Sequence, residues 1–151
     1  MAERSTSPET TLQIRKTFAA PRQKVFEAWT EAEKLTRWLC RVTEQHSTKL
    51  LELDVRVGGR YRLEVTTPEG DHMLLSGTYL EVKAPDRLVL TWQWEGDPDF
   101  GETLLTLEFL AHGNSTELVL THERFPNSQW RDRHAVGWNG CFDRLDELLQ
   151  S

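Results

Sequence analysis

Between Ser128 and Leu149 the apolar residues recur at spacings of three and four. Trp130, His134, Gly137, Trp138, Cys141, Phe142, Leu145, Leu148 and Leu149 therefore share one face of a predicted helix. Arg131, Asp132, Arg133, Asp143, Arg144, Asp146 and Glu147 fall mostly on the other face. At about 1.5 Å per residue such a helix is roughly 30 Å long. Its inner face ends in leucines but begins with two tryptophans, a histidine and a glycine. Nearly everything upstream reads as strand, so the helix is predicted to cover one face of a sheet.

The upstream pattern supports this. Leu12 to Phe18 alternates as a strand. Pro21 suits the first turn of a short helix bearing Val25, Phe26, Ala28 and Trp29. Thr30-Glu31-Ala32-Glu33 has the form of a capping box, opening a second short helix with Leu35, Trp38 and Leu39. Leu51, Leu53, Val55 and Val57 alternate up to the Gly58-Gly59 turn. Further strands follow: Tyr61–Val65, Met73–Val82 with Gly77 as a bulge or close approach, and Leu88–Trp94. Thr103–Leu110 and Thr116–Glu123 pair as a hairpin, and Ser128 is the expected cap of the last helix. Short turns imply an antiparallel meander. The expected architecture is α+β: a helix-grip fold with a curved antiparallel sheet of about six or seven strands wrapped around the C-terminal helix, and two short helices after the first strand. Residues 1–10 are expected to be a mobile tail and residues 11–151 a single domain.

Charge narrows the partners. The 151-residue chain carries a net charge of −6 and no basic stretch. Nucleic acid and anionic membrane surfaces are therefore disfavoured. No apolar run approaches the roughly 20 residues of a membrane span, and Met1 to Thr11 lacks the apolar core of a signal peptide, so a cytoplasmic location is expected. Cys40 and Cys141 form no CxxC pair and are expected to be free thiols.

Several segments resemble a known family. Phe18-Ala19-Ala20-Pro21 with Val25-Phe26-x-Ala28-Trp29 is similar to the start of the START-like (SRPBCC) superfamily. In order come Trp38, Asp54-x-Arg56-Val57-Gly58-Gly59, Gly77-x-Tyr79, Pro85-x-Arg87-Leu88 and Thr91-Trp92, then Leu120-Thr121-His122-Glu123-x-Phe125 and His134-x-x-Gly137-Trp138. Together they resemble the subfamily similar to the C-terminal domain of the activator of the heat-shock-90 chaperone ATPase, over about residues 11 to 149. Two positions depart from the pattern: Trp38-Leu39-Cys40-Arg41 replaces a Trp-Trp pair followed by proline, and Lys16 replaces an arginine. The resemblance implies a fold that hosts lipid and hormone carriers, cyclases and chaperone cofactors, so it does not fix one function.

The residues themselves favour a ligand cavity. His122 alternates in phase with Leu118 and Leu120 and should point inward, and His134 lies one turn before Trp138. Aromatic walls with a few placed polar groups are how small ligands are held. The expected lining is Trp38 closing the mouth, Tyr61, Trp92, Trp94 and His122 from the sheet, and His134, Trp138 and Phe142 from the helix. The expected ligand is small and apolar or amphipathic, with no catalytic residue assigned. A chaperone ATPase is the alternative partner, and a cyclase or hydrolase using His122 or His134 as base comes third. There is no HExxH, CxxC or GxSxG, so no metal or other cofactor is implied. Cys141 falls on the inner helix face, whereas Cys40 falls in a polar loop compatible with exposure. The sequence is compatible with a monomer or a homodimer.

Overall fold

The computed structural model describes residues 7–150. The first strand, β1 (Leu12–Phe18), is followed by helices α1 (Arg22–Thr30) and α2 (Ala32–Leu35). Six strands come next: β2 (Ser47–Leu53), β3 (Arg60–Thr66), β4 (His72–Lys83), β5 (Arg87–Trp94), β6 (Thr103–His112) and β7 (Ser115–Glu123). Helix α3 (Ser128–Gln150) completes the order. All seven strands form one antiparallel sheet, β1-β7-β6-β5-β4-β3-β2, and the architecture is the α+β helix-grip fold. Among the described residues no helix is long and apolar enough to cross a membrane.

Alternation decides the sheet's inner face. On β6, Thr103, Leu105, Leu107 and Phe109 are buried while Leu104, Thr106 and Glu108 are only partly so. On β7, Leu118, Leu120 and His122 face the same way. Against this face α3 buries His134, Trp138, Cys141, Phe142, Leu145 and Leu149. Phe18 meets Phe142 edge-on at 5.7 Å, and Phe26 of α1 meets Phe109 of β6 at 5.3 Å. Burying one such side chain contributes roughly 1.5–3 kcal/mol, so each of these four rings is a substantial contributor to stability.

Glycine is required where backbones close up. A Cβ on Gly77 would overlap the Thr91 carbonyl oxygen and press on the Tyr61 ring at 2.6 Å. The close approach is therefore the reason for Gly77, and the register shift in β4 comes later, between Tyr79 and Glu81.

Several local expectations need correction. The inward residues of β2 are Thr48, Leu50 and Leu53, whereas Leu51 and Val57 are exposed. A register shift between Leu50 and Glu52 adds a residue and reverses the alternation. The capping box does not form: Glu31 occupies the cap of α2 without a side-chain bond, and Thr30 Oγ1 donates back to Phe26 O at 3.0 Å. Helix α2 ends at Leu35, so Trp38 and Leu39 lie in the turns beyond it. The cap of α3 is Asn127, whose Oδ1 accepts from the Trp130 amide at 3.0 Å, rather than Ser128. Of the tail expected to be mobile, residues 1–6 lie outside the described residues. Residues 7–10 form a turn, and Thr10 O accepts from the Phe125 amide at 3.1 Å.

Candidate functional site

A cavity of about 750 Å³ lies between the N-terminal half of α3 and strands β3, β4 and β5. Its aromatic lining is Trp92 and Trp94 from β5 and Trp130, His134 and Trp138 from α3. Val65, Met73 and Leu74 add apolar side chains from β3 and β4. The segment after α2 closes one side with Cys40, Val42 and His46. Glu95, Gly96 and Asp97 from the β5–β6 loop and Arg133 from α3 stand with them around the cavity.

The closing segment is held by two devices. The Arg41 guanidinium donates to the carbonyls of Arg37, Glu44 and His46 at 3.0, 3.1 and 3.0 Å. Its partner is a notch in α3: a Cβ on Gly140 would overlap the Val42 carbonyl oxygen and stand 3.0 Å from Val42 Cγ1. Gly137 is different, because a Cβ there would meet only Val42 Cγ2 at 3.8 Å, an ordinary contact. Gly140 is thus the close-approach glycine of α3, and Gly137 leaves space along the cavity wall.

The eight residues expected to line a cavity separate into two layers. Trp92, Trp94, His134 and Trp138 line it. Trp38, Tyr61, His122 and Phe142 lie behind that wall, each 2 % exposed or less. Trp38 does not stand at the mouth. Its indole donates to Ala28 O at 2.9 Å, and its ring packs on Trp29 and Phe142 at 4.5 and 6.4 Å. Tyr61 donates to Thr91 O at 2.6 Å. Cys40, open to exposure in sequence, is buried in a left-handed turn with φ of 63°.

Two hydrogen-bond chains fix both histidines. An indole N–H can only donate, so it identifies the lone pair of its partner. Trp94 Nε1 donates to His134 Nε2 at 3.0 Å, and His134 Nδ1 lies 2.9 Å from the Trp130 carbonyl, which can only accept. His134 therefore carries its proton on Nδ1. In the second chain Trp138 Nε1 donates to His122 Nδ1 at 3.2 Å. His122 then donates from Nε2 to Thr103 Oγ1 at 2.8 Å, and the Thr103 hydroxyl donates in turn to Trp92 O at 2.7 Å. The two imidazoles are neutral, are opposite tautomers, and meet edge-to-face at 5.2 Å. Burial pushes His134 down to about 4 and His122 well below the usual histidine range; the neighbouring His134 adds to the effect on His122. Neither ring has a free lone pair to offer a substrate.

The remaining wall is apolar or neutral. Burial raises the thiol of Cys141 to about 12 and that of Cys40 well above its usual value, so both stay protonated. Trp92 Nε1 is buried without an acceptor among the described residues. Charge is confined to the edge. Arg62 grips Glu95 through Nε–Oε2 and Nη2–Oε1 bonds of 2.9 and 3.0 Å, holding that carboxyl below its ordinary range. Arg133 lies over the Trp130 ring at 5.1 Å.

Sequence reading missed Val42, His46 and Arg133. The signal for Val42 was Gly140, a second helix-interior glycine one turn after Gly137, which marks something packed against that face. Of the two departures from the family pattern, Cys40 lines the cavity. Lys16 lies away from it, 3.9 Å from Asp143 and over the Phe18 ring.

The fold is shared with solved structures. Protein CV1439 from Chromobacterium violaceum superposes with a TM-score of 0.87 at 24 % identity, covering 94 % of this chain and 98 % of its own. A Rhodobacter sphaeroides protein gives 0.80 at 26 %, covering 95 % of each chain. CalU16 from Micromonospora echinospora gives 0.70 at 26 %, covering 97 % of this chain and 82 % of its own. Among curated proteins none matches. The family model described as activator of Hsp90 ATPase homolog 1-like protein matches residues 19–150, and the chain belongs to that family.

Proposed function

We propose that this protein binds a small hydrophobic or amphipathic molecule in the cavity between α3 and the sheet, without transforming it. The observation that carries this reading is the cavity of about 750 Å³, walled by four tryptophans and a histidine whose ring nitrogens are already bonded. That volume falls within the roughly 300–1,000 Å³ of small-molecule sites. Trp92, Trp94, His134 and Trp138 would touch the ligand. Trp38, Tyr61, His122 and Phe142 would hold that wall in shape. A histidine base is disfavoured because both imidazole lone pairs already accept indole protons.

Nuclear magnetic resonance titration of the full chain with a panel of hydrophobic compounds tests the reading. Shifts of the Trp94 and Trp138 indole N–H signals are expected. Shifts confined to the outer face of the sheet would contradict it.

The family description supports a second reading, contact with a chaperone ATPase. It predicts a change in that ATPase's turnover when this protein is added, insensitive to substitutions in the cavity. An unchanged rate would remove it.

A further inference from the structure

We infer that the ligand is an amphipathic molecule whose head is an anion, seated at the cavity edge against Arg133 with its apolar body among the tryptophans. This rests on the binding reading above and names the ligand class.

The interior offers a charged head no charged partner, and its one unbonded donor, the Trp92 indole N–H, is itself buried within the wall. His134 and His122 have both ring nitrogens bonded, the Trp94 and Trp138 indoles donate to them, and both thiols are protonated. A charge placed there would lose its hydration without compensation. The head must therefore stay at the edge, where charged and partly exposed side chains gather.

At that edge the unused capacity is mainly for donation. Arg133 is exposed and makes no ion pair among the described residues, yet its guanidinium is held 5.1 Å from the Trp130 ring. A guanidinium stacked on an aromatic wall keeps its N–H edge available for a carboxylate. His46 adds a second donor. Its Nδ1 accepts from the Thr43 amide at 3.2 Å, so the neutral ring carries its proton on Nε2. Two carboxylates, Glu95 and Asp97, also line the cavity. Glu95 is neutralised by the bidentate Arg62, and Asp97 turns Oδ1 back onto its own loop, accepting from the Asp99 amide at 3.2 Å. His72, also at the edge, has Nδ1 3.1 Å from Thr66 Oγ1 and 4.0 Å from Glu64. Asp97 keeps its charge, but Arg133 is the charged group held against the tryptophan wall where the apolar body would end, and that placement favours an anion.

Three probes with one apolar body and different heads test this: decanoate, decanol and decyltrimethylammonium, each below its micelle concentration. Binding to the full chain is read by tryptophan fluorescence and by the indole N–H signals. Decanoate is expected to bind about tenfold more tightly than decanol, with the advantage shrinking as salt is added. Arg133→Gln should abolish the advantage by weakening decanoate far more than decanol, while Arg133→Lys should restore part of it. An unchanged melting temperature for Arg133→Gln would show that the fold is intact. Equal binding of decanoate and decanol, or tighter binding of the ammonium compound, would overturn the anionic head and leave the cavity reading standing. Failure of all three to bind would overturn both.

Discussion

The Trp94 indole N–H points at the Nε2 lone pair of His134 across 3.0 Å, so protonating that histidine would turn two N–H groups on each other. The bond ties the end of β5 to the first turns of α3. Acid should therefore loosen the cavity wall first. His134 has a folded-state value near 4, below the ordinary histidine value of about 6.5, and His122 shifts in the same direction. The unfolded chain then takes up protons before the folded one. Stability is complete above about pH 6.5 and is lost as pH falls towards 4, at roughly 1.4 kcal/mol per pH unit for one histidine. Urea midpoints at pH 7 and pH 5 should show the loss, and His134→Gln, which cannot charge, should reduce it.

The two glycines of α3 should respond in opposite directions. Gly140→Ala forces a Cβ onto the Val42 carbonyl and is expected to destabilise by about 1–3 kcal/mol, displacing residues 40–46. Gly137→Ala meets only an ordinary contact and gains helix propensity, up to about 1 kcal/mol. Thermal melts of the two single variants give the comparison directly.

Thr103 is the relay between His122 and the Trp92 carbonyl. Thr103→Val keeps the shape and leaves a donor and an acceptor unmatched in a buried site, at an expected loss of roughly 1–3 kcal/mol. Thr103→Ser keeps the hydroxyl and should lose less. Chemical denaturation of the pair separates the hydrogen bonds from the methyl group.

The thiols should be inert while the chain is folded. Both cysteines are buried with raised values. At pH 7.5 a thiol-specific disulfide reagent is expected to modify less than about a tenth of them in an hour, and both promptly in denaturant. Rapid native labelling at Cys40 would show that the segment after α2 opens.

Periodicity made the fold legible because it reports which side of an element faces inward. The β6–β7 hairpin, the inward phase of His122 and the inner face of α3 all follow from it. The same rule failed at β2, where one added residue near Leu51 reverses inside and outside without altering the alternating pattern. It also carried the second helix on through Trp38 and Leu39, whereas α2 has four residues and the turns that follow fold the Trp38 indole onto Ala28. Spacing placed His122 and His134 on facing elements but carried no information on side-chain direction. Hence the two indole-to-imidazole bonds, which decide that these rings are structural, emerge only in three dimensions.

The cavity wall draws on residues 40 to 46, 65 to 97 and 130 to 141, segments distant in the chain that meet when α3 packs over β3, β4 and β5. A chain in which α3 has left the sheet does not present that surface. A bound molecule would therefore add its affinity to the unfolding free energy through mass action, about 2.7 kcal/mol at a concentration one hundred times its dissociation constant. Heat resistance itself becomes the assay, and an unbiased compound library can be ranked by melting temperature before any ligand is named.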